Sequence, residues 1–338
     1  MSEDAIHSIQ GRLEFLNERK LPAVVTAISG ESLGELLSEM REPLEAAQLK
    51  YGAILFRGFD LATAEGFGEV AAKLFGDALK PYLGGTSPRG QVDARVYEST
   101  WFPRRLRLPL HNEMSYLPQP PRRIAFFCEI AAEVGGETPI ADSREIYQRI
   151  PAAVREAFEA RGIRYHRYLY GPKWNLFSAG VNRVAPLHRS WMAAFQTNDR
   201  AEVERVCREQ GVSLEWDREE GAQIANSLPA VRQHPCTEEK VWFNQAAAFV
   251  PTPRATGFAR WLLYRLAWPD PMRRPFHAAF GTGEEITTAQ LNDVNDAIDG
   301  STVRFRWRRG DLLLLDNYLV AHGRMPFRGE RRILVAMS

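Results

Sequence analysis

A chain of 338 residues that is 45% apolar and 25% charged has the balance of a folded globular protein, which excludes collagen-like, fibrous and disordered classes. Its 43 basic and 42 acidic residues leave a formal net charge of +1. No overall field is then available to hold nucleic acid or an anionic membrane, and a small-molecule partner is expected. The acidic opening Met1-Ser2-Glu3-Asp4-Ala5 and the lack of any long apolar run predict neither a secretory signal nor a membrane helix, hence a cytoplasmic location.

In chain order, the spacing of Leu33, Leu36, Leu37, Met40, Leu44 and Leu49 predicts a helix over 31–50 that runs into Gly52. Ala53 to Phe59 reads as a buried strand, and another helix is expected over 63–75. Asp142 is placed to cap a helix starting at Ser143, and Pro151 to open a further helix through Phe158. Near the end, Val303, Phe305 and Trp307 alternate with Arg304, Arg306 and Arg308, the period of a half-buried strand closed by a Gly310-Asp311 turn. Leu312 to Leu315 follows as a strand buried on both faces, Asp316-Asn317 turns, and Arg331 to Met337 is the last strand. Helices early and strands late, with no repeat or linker, predict a single α+β domain over 1–338 of jelly-roll type. Cys128, Cys207 and Cys236 fit neither a disulfide framework nor a zinc pattern and read as buried free thiols.

His111-Asn112-Glu113 is the first candidate for chemistry. If the segment is extended, as Pro109 and Pro118 favour, residues i and i+2 share a face and an imidazole and a carboxylate can converge on one ion. The pattern alone carries no weight: 7 His and 42 acidic residues make about one His-x-Asp/Glu expected by chance, and there is one. The tail adds to it, because His322 follows a buried strand and the pair Arg331-Arg332 opens the next. Two His and one carboxylate on one side of an ion leave positions open, as in non-heme Fe(II) oxygenases, whereas structural zinc takes a closed tetrahedral set. His166, His188, His234 and His277 have no carboxylate at ligand spacing and read as structural or surface residues.

Four segments carry a resemblance: His111-Asn112-Glu113-Met114-Ser115-Tyr116, Gly135-Gly136-Glu137-Thr138-Pro139-Ile140-Ala141-Asp142-Ser143-Arg144, Val241-Trp242-Phe243-Asn244-Gln245, and Asp316 through Ile333. In that order they resemble the Fe(II)/2-oxoglutarate-dependent dioxygenases of the taurine dioxygenase (TauD/TfdA) superfamily. These are clavaminate synthase-like, and the likeness is closest to the syringomycin-type (SyrP-like) amino-acid hydroxylases of nonribosomal peptide pathways. It runs from about Arg95 to the end, and the first 80 or so residues share it only loosely.

The resemblance implies a double-stranded β-helix with an N-terminal helical layer and helical insertions at about 143–230. It implies Fe(II), 2-oxoglutarate and O2 as cofactor and cosubstrates, with His111, Glu113 and His322 as iron ligands. Thr138, 27 residues after His111, and Arg332 would hold 2-oxoglutarate, while Arg331 would alternate onto the solvent face. Arg suits a distal carboxylate because its planar fork offers two parallel N–H donors. Arg324 and Asn244 are the candidate substrate contacts. Two departures narrow the substrate: Ala336 stands where taurine-type enzymes carry a second Arg, and Thr282 replaces the acid expected between Gly281 and Gly283; Glu113, by contrast, is intact where halogenases lose their carboxylate. The implied activity is hydroxylation of an amino acid, free or presented on a peptidyl carrier protein, in antibiotic-type specialised metabolism. Desaturation or epoxidation at the same iron, a zinc hydrolase, and an inactive binding module remain open alternatives, and no oligomeric state is implied.

Overall fold

Strand pattern explains why the larger sheet is covered on both sides. The computed structural model describes residues 3–76, 96–98, 102–173, 180, 182 and 188–338. Across the seven-stranded sheet lie Leu13–Phe15, Ala23–Thr26, Ala53–Arg57, Leu312–Asp316, Arg123–Ile130, Arg332–Met337 and Tyr97–Glu98. Ile54, Phe56, Phe127, Leu312, Leu314 and Leu334 pack with Leu33, Leu36, Phe67 and Leu74 of the N-terminal helices. Their neighbours Leu55, Phe126, Leu313, Leu315, Val335 and Met337 belong to a second core on the opposite face, as the two-residue period of a strand requires. Leu312–Asp316 is buried throughout, as its unbroken apolar run predicts.

That second core is closed by a four-stranded sheet in the order Thr302–Phe305, Thr138–Asp142, Val320–Arg324, Leu108–His111. Leu110, Ile140, Val303 and Val320 contribute its buried side chains. Strands from residue 108 onward therefore face strands from both ends of the chain, and the candidate histidines lie on this smaller sheet.

Several expectations need correction. The helix over 31–50 is two helices, Leu33–Glu39 and Arg41–Tyr51, separated at Met40. Pro43 explains the break: it has no N–H for the Glu39 carbonyl and is tolerated only in the first turn of a helix. The strand after Thr302 ends at Phe305, leaving Trp307 beyond it. The insertion at 143–230 is not purely helical. Ile163–Leu169, Ser213–Trp216 and Ala222–Leu228 join His277–Phe280 in a third sheet, and the alternation of buried Ile163 and Tyr165 with exposed Arg164 shows why. Residues 174–179, 181 and 183–187 of the insertion lie outside the described residues.

The expected caps form. Asp142 accepts from the Arg144 N–H at 2.8 Å to start Ser143–Arg149, and Pro151 precedes Ala152–Arg161. Cys128 and Cys207 are buried thiols, but Cys236 is exposed. Burial pushes the Cys128 thiol up to about 12 and the Cys207 thiol to about 11. Among the described residues no helix is long and apolar enough to cross a membrane.

Two histidines of the third sheet, His166 and His277, and His188, whose ring packs against Tyr168 of that sheet, make the protein sensitive to acid. Burial lowers His166, His188 and His277 to about 4, with Arg164 adding to the effect on His166 and Arg274 to that on His277, against a weaker opposing pull from Asp270. An unfolded histidine titrates near 6.5. As pH falls from about 6.5 towards 4 the unfolded chain takes up protons that the folded chain refuses, so stability present above this window is lost across it. The melting temperature is expected to fall between about pH 7 and pH 5, and His277→Gln to make that fall shallower. A flat profile would show that these rings titrate normally.

Candidate functional site

His111 ends the strand Leu108–His111, and His322 sits mid-strand in Val320–Arg324. The two are register partners across the smaller sheet, with ring centroids 4.7 Å apart. Gly323 lets the strands approach so closely, since a Cβ there would lie 2.6 Å from the Leu108 carbonyl oxygen. Phe126, from the larger sheet, packs against the His322 ring at 5.0 Å. The site therefore lies between the two sheets.

Glu113 arrives differently from the expectation of a shared strand face. The strand stops at His111, and Glu113 occupies a turn in which Met114 takes a left-handed φ of +52°. The turn brings the carboxylate back, with Glu113 Oε2 3.8 Å from His322 Nε2. One ligand atom from each of His111, Glu113 and His322 lies within 4.8 Å of the others.

The donor set fits a metal ion. His111 Nδ1 is 2.9 Å from the Pro109 carbonyl oxygen. A carbonyl only accepts, so Nδ1 carries the proton and the Nε2 lone pair is left for an ion, the tautomer that metal-binding histidines adopt. Glu113 and His322 are 4% and 5% exposed, and His322 Nδ1 is buried without a hydrogen-bond partner among the described residues. Two imidazoles and one carboxylate from a strand, a turn and a second strand match the open facial arrangement of non-heme iron sites.

Thr138 and Arg331 line the same cavity as His111, Glu113 and His322. Thr138 opens its strand in a buried position, and its Oγ1 accepts from Trp307 Nε1 at 2.9 Å, which leaves the hydroxyl proton available. Arg331 donates from Nε to the Gly136 carbonyl at 3.0 Å. Burial, reinforced by the charge of Arg324, lowers Arg331 to about 10, so it remains a cation at neutral pH.

Arg332 is placed the other way from the expectation. Its guanidinium meets Glu129 at 2.6 Å and Glu98 at 3.3 Å, with 37% of the side chain exposed, and it does not line the cavity of His111, Glu113 and His322. Ile333, two residues after Arg331, lines the cavity, so Arg331 and Ile333 share the inner face while Arg332 takes the outer one.

Arg324 lines the cavity, but its terminal nitrogens donate to the carbonyls of Phe102, Pro103 and Leu106 at 2.8–2.9 Å. Its ring neighbours are Phe102 and Phe327. Only Nε lacks a hydrogen-bond partner among the described residues, and burial lowers the group to about 10. Its evident work is to anchor the 102–106 segment. Asn244 does not reach the cavity: it donates to the Ala230 carbonyl at 2.9 Å and accepts from the Ala246 N–H at 3.1 Å. Reading the sequence missed Arg331 as a cavity residue, and assigned no role at the site to the buried amides Asn112, Asn317 and Gln245.

Comparison with known proteins adds the family. The model described as taurine catabolism dioxygenase TauD, TfdA family matches residues 17–337. The chain belongs to that family. Iron and 2-oxoglutarate are the cofactors of this TauD/TfdA dioxygenase, and His111, Glu113 and His322 form its candidate iron site. Dapdiamide synthesis protein DdaC of Enterobacter agglomerans is 32% identical over 314 residues, covering 93% of this chain and 89% of that protein. A clavaminate synthase-like protein of Arabidopsis thaliana is 31% identical over 319 residues, with the same coverage. Among solved structures, PvcB of Pseudomonas aeruginosa has a TM-score of 0.51 at 17% identity, covering 93% of this chain and 84% of its own. AAD-2, solved with Mn(II) and N-oxalylglycine, has a TM-score of 0.52 at 16% identity, covering 96% and 95%. The solved structures share the fold.

Proposed function

We propose that the chain is a hydroxylase of the syringomycin-type branch of this family, acting on an amino acid, free or as an aminoacyl thioester on a carrier protein, in specialised-metabolite assembly. The observation that carries the reading is the convergence of His111, Glu113, His322, Thr138 and Arg331 on one cavity between two sheets, which we read as a double-stranded β-helix. The three ligands would hold Fe(II), while Thr138 and Arg331, rather than Arg332, would hold the distal carboxylate of 2-oxoglutarate. The bound iron would supply oxidative decarboxylation of 2-oxoglutarate by O2, coupled to oxidation of a substrate C–H bond. The chain's own residues do the rest: Phe126 and Ile333 wall the cavity with apolar surface, and Arg324 fixes the 102–106 segment beside it.

Similarity to a protein named for dapdiamide synthesis supports the metabolic setting. PvcB, described as an Fe, alpha-ketoglutarate dependent oxygenase from an isonitrile synthetic pathway, has the same fold and belongs to a comparable setting. Two experiments test the reading. Anaerobic addition of Fe(II) and 2-oxoglutarate to metal-free protein is expected to give a visible metal-to-ligand charge-transfer band, and its absence would remove the iron assignment. A mass-spectrometric screen of free amino acids and their carrier thioesters is then expected to find a product one oxygen heavier, with 2-oxoglutarate consumed in step. A product short of two hydrogens would mean desaturation, and coupled turnover with taurine alone would place the substrate in another branch.

A further inference from the structure

The carboxylate ligand sits outside the sheet, in a turn with a left-handed residue at Met114, and such a turn does not hold a side chain in place by itself. Both backbone groups of Glu113 are taken by one side chain. Asn317 Oδ1 accepts the Glu113 N–H at 2.7 Å, and Asn317 Nδ2 donates to the Glu113 carbonyl at 2.9 Å and to the Pro121 carbonyl at 2.8 Å. The amide thus stands in for the peptide of a neighbouring strand and continues the ladder beyond His111. Asn317 is fully buried, and its three side-chain bonds together need an amide: a carboxylate could accept from the Glu113 N–H but could not donate to the two carbonyls.

Further bonds fix the clamp. Asn112 Nδ2 donates to the Asn317 carbonyl at 2.7 Å and to Ser143 Oγ at 3.1 Å. Gln245 Nε2 donates to the Asn112 carbonyl at 2.7 Å, and the Gln245 N–H donates to the Tyr165 hydroxyl at 3.0 Å. Asp316, next to Asn317, accepts from the Tyr318 and Leu319 N–H groups at 2.9 and 3.2 Å. The connection that clamps Glu113 is therefore also the one that leads into the His322 strand.

We infer that Asn317 is a positioning residue that sets the Glu113 carboxylate against His322 for metal binding, and that Gln245 supports it through Asn112. The inference rests on the iron reading above and deepens it. Loss of a partner that orients a metal ligand lowers metal affinity by about 10–100-fold, and a residue that only stabilises the fold does not. Asn244 supplies the control, since it is a buried neighbour of Gln245 whose two bonds lead to Ala230 and Ala246 rather than to the clamp.

The test titrates Mn(II) into metal-free wild type, Asn317→Ala, Gln245→Leu and Asn244→Ala, following free Mn(II) by electron paramagnetic resonance, with melting curves to show that each is folded. Asn317→Ala is expected to lose about 10–100-fold in Mn(II) affinity, Gln245→Leu to lose less in the same direction, and Asn244→Ala to match wild type despite a lower melting temperature. If Asn317→Ala does not fold, Gln245→Leu against Asn244→Ala decides. Wild-type affinity in a folded Asn317→Ala or Gln245→Leu, or an equal loss in Asn244→Ala, would overturn the inference and leave the iron reading standing. A wild type that binds no Mn(II) would overturn both.

Discussion

Glu113→Ala is expected to bring succinate formation from 2-oxoglutarate to background and to abolish Fe(II) binding, while the metal-free protein keeps its fold. The carboxylate is the only anionic member of the cluster, so its loss leaves two neutral imidazoles to hold a divalent ion with neither charge compensation nor a third donor. The fold should survive because the Glu113 N–H and carbonyl, not its side chain, are tied to Asn317. Burial nearby is carried by Leu110 and Tyr116. Glu113→Gln separates charge from shape: it should leave the turn in place and still bind iron poorly. His111→Ala and His322→Ala should behave like Glu113→Ala, since each removes one donor from a strand whose core contacts lie elsewhere. Normal turnover in any one of the three would remove that residue from the ligand set, and zinc instead of iron in the active protein would remove the oxygenase reading.

The candidate ligands were legible in the sequence through the resemblance carried by the segments around them, since the His-x-Glu pattern alone carried no weight. The route by which they meet was not. His111-Asn112-Glu113 suggested one strand face, but Glu113 lies in a turn, and only the chain returning through Asn317 makes that turn possible. Amides paired across more than a hundred residues of sequence leave no periodic trace, so Asn112, Asn317 and Gln245 looked like ordinary turn residues. The layer of N-terminal helices was visible as helical spacing, and the third sheet could have been seen in the alternation of Ile163 and Tyr165 with Arg164. The choice between Arg331 and Arg332 was harder. Ile333 and Val335 face one core and Leu334 and Ala336 the other, so the strand is apolar on both faces and its hydrophobic period does not say which side is inside.

Arg331→Ala should raise the KM for 2-oxoglutarate by roughly thirty- to several-thousand-fold, the equivalent of about 2–5 kcal/mol for truncating one partner of a buried charge pair. Arg332→Ala should change it little, because Arg332 sits in partly exposed pairs with Glu129 and Glu98 and such pairs contribute about 0–1 kcal/mol. Arg331→Lys should fall between, keeping the charge but losing the planar fork. The lowered value of about 10 for Arg331 gives a sign as well: the cation is present at neutral pH, so 2-oxoglutarate binding should hold through neutrality and weaken as pH rises towards 10. Arg324 lines the same cavity, and its charge acts on Arg331, so a bound carboxylate would meet two cations there. Saturating 2-oxoglutarate should therefore raise the melting temperature of wild type and Arg332→Ala but not of Arg331→Ala, since only binding to the folded state stabilises it. If Arg332→Ala were the variant that lost both the shift and the KM, the inner face of the last strand would have been assigned to the wrong arginine.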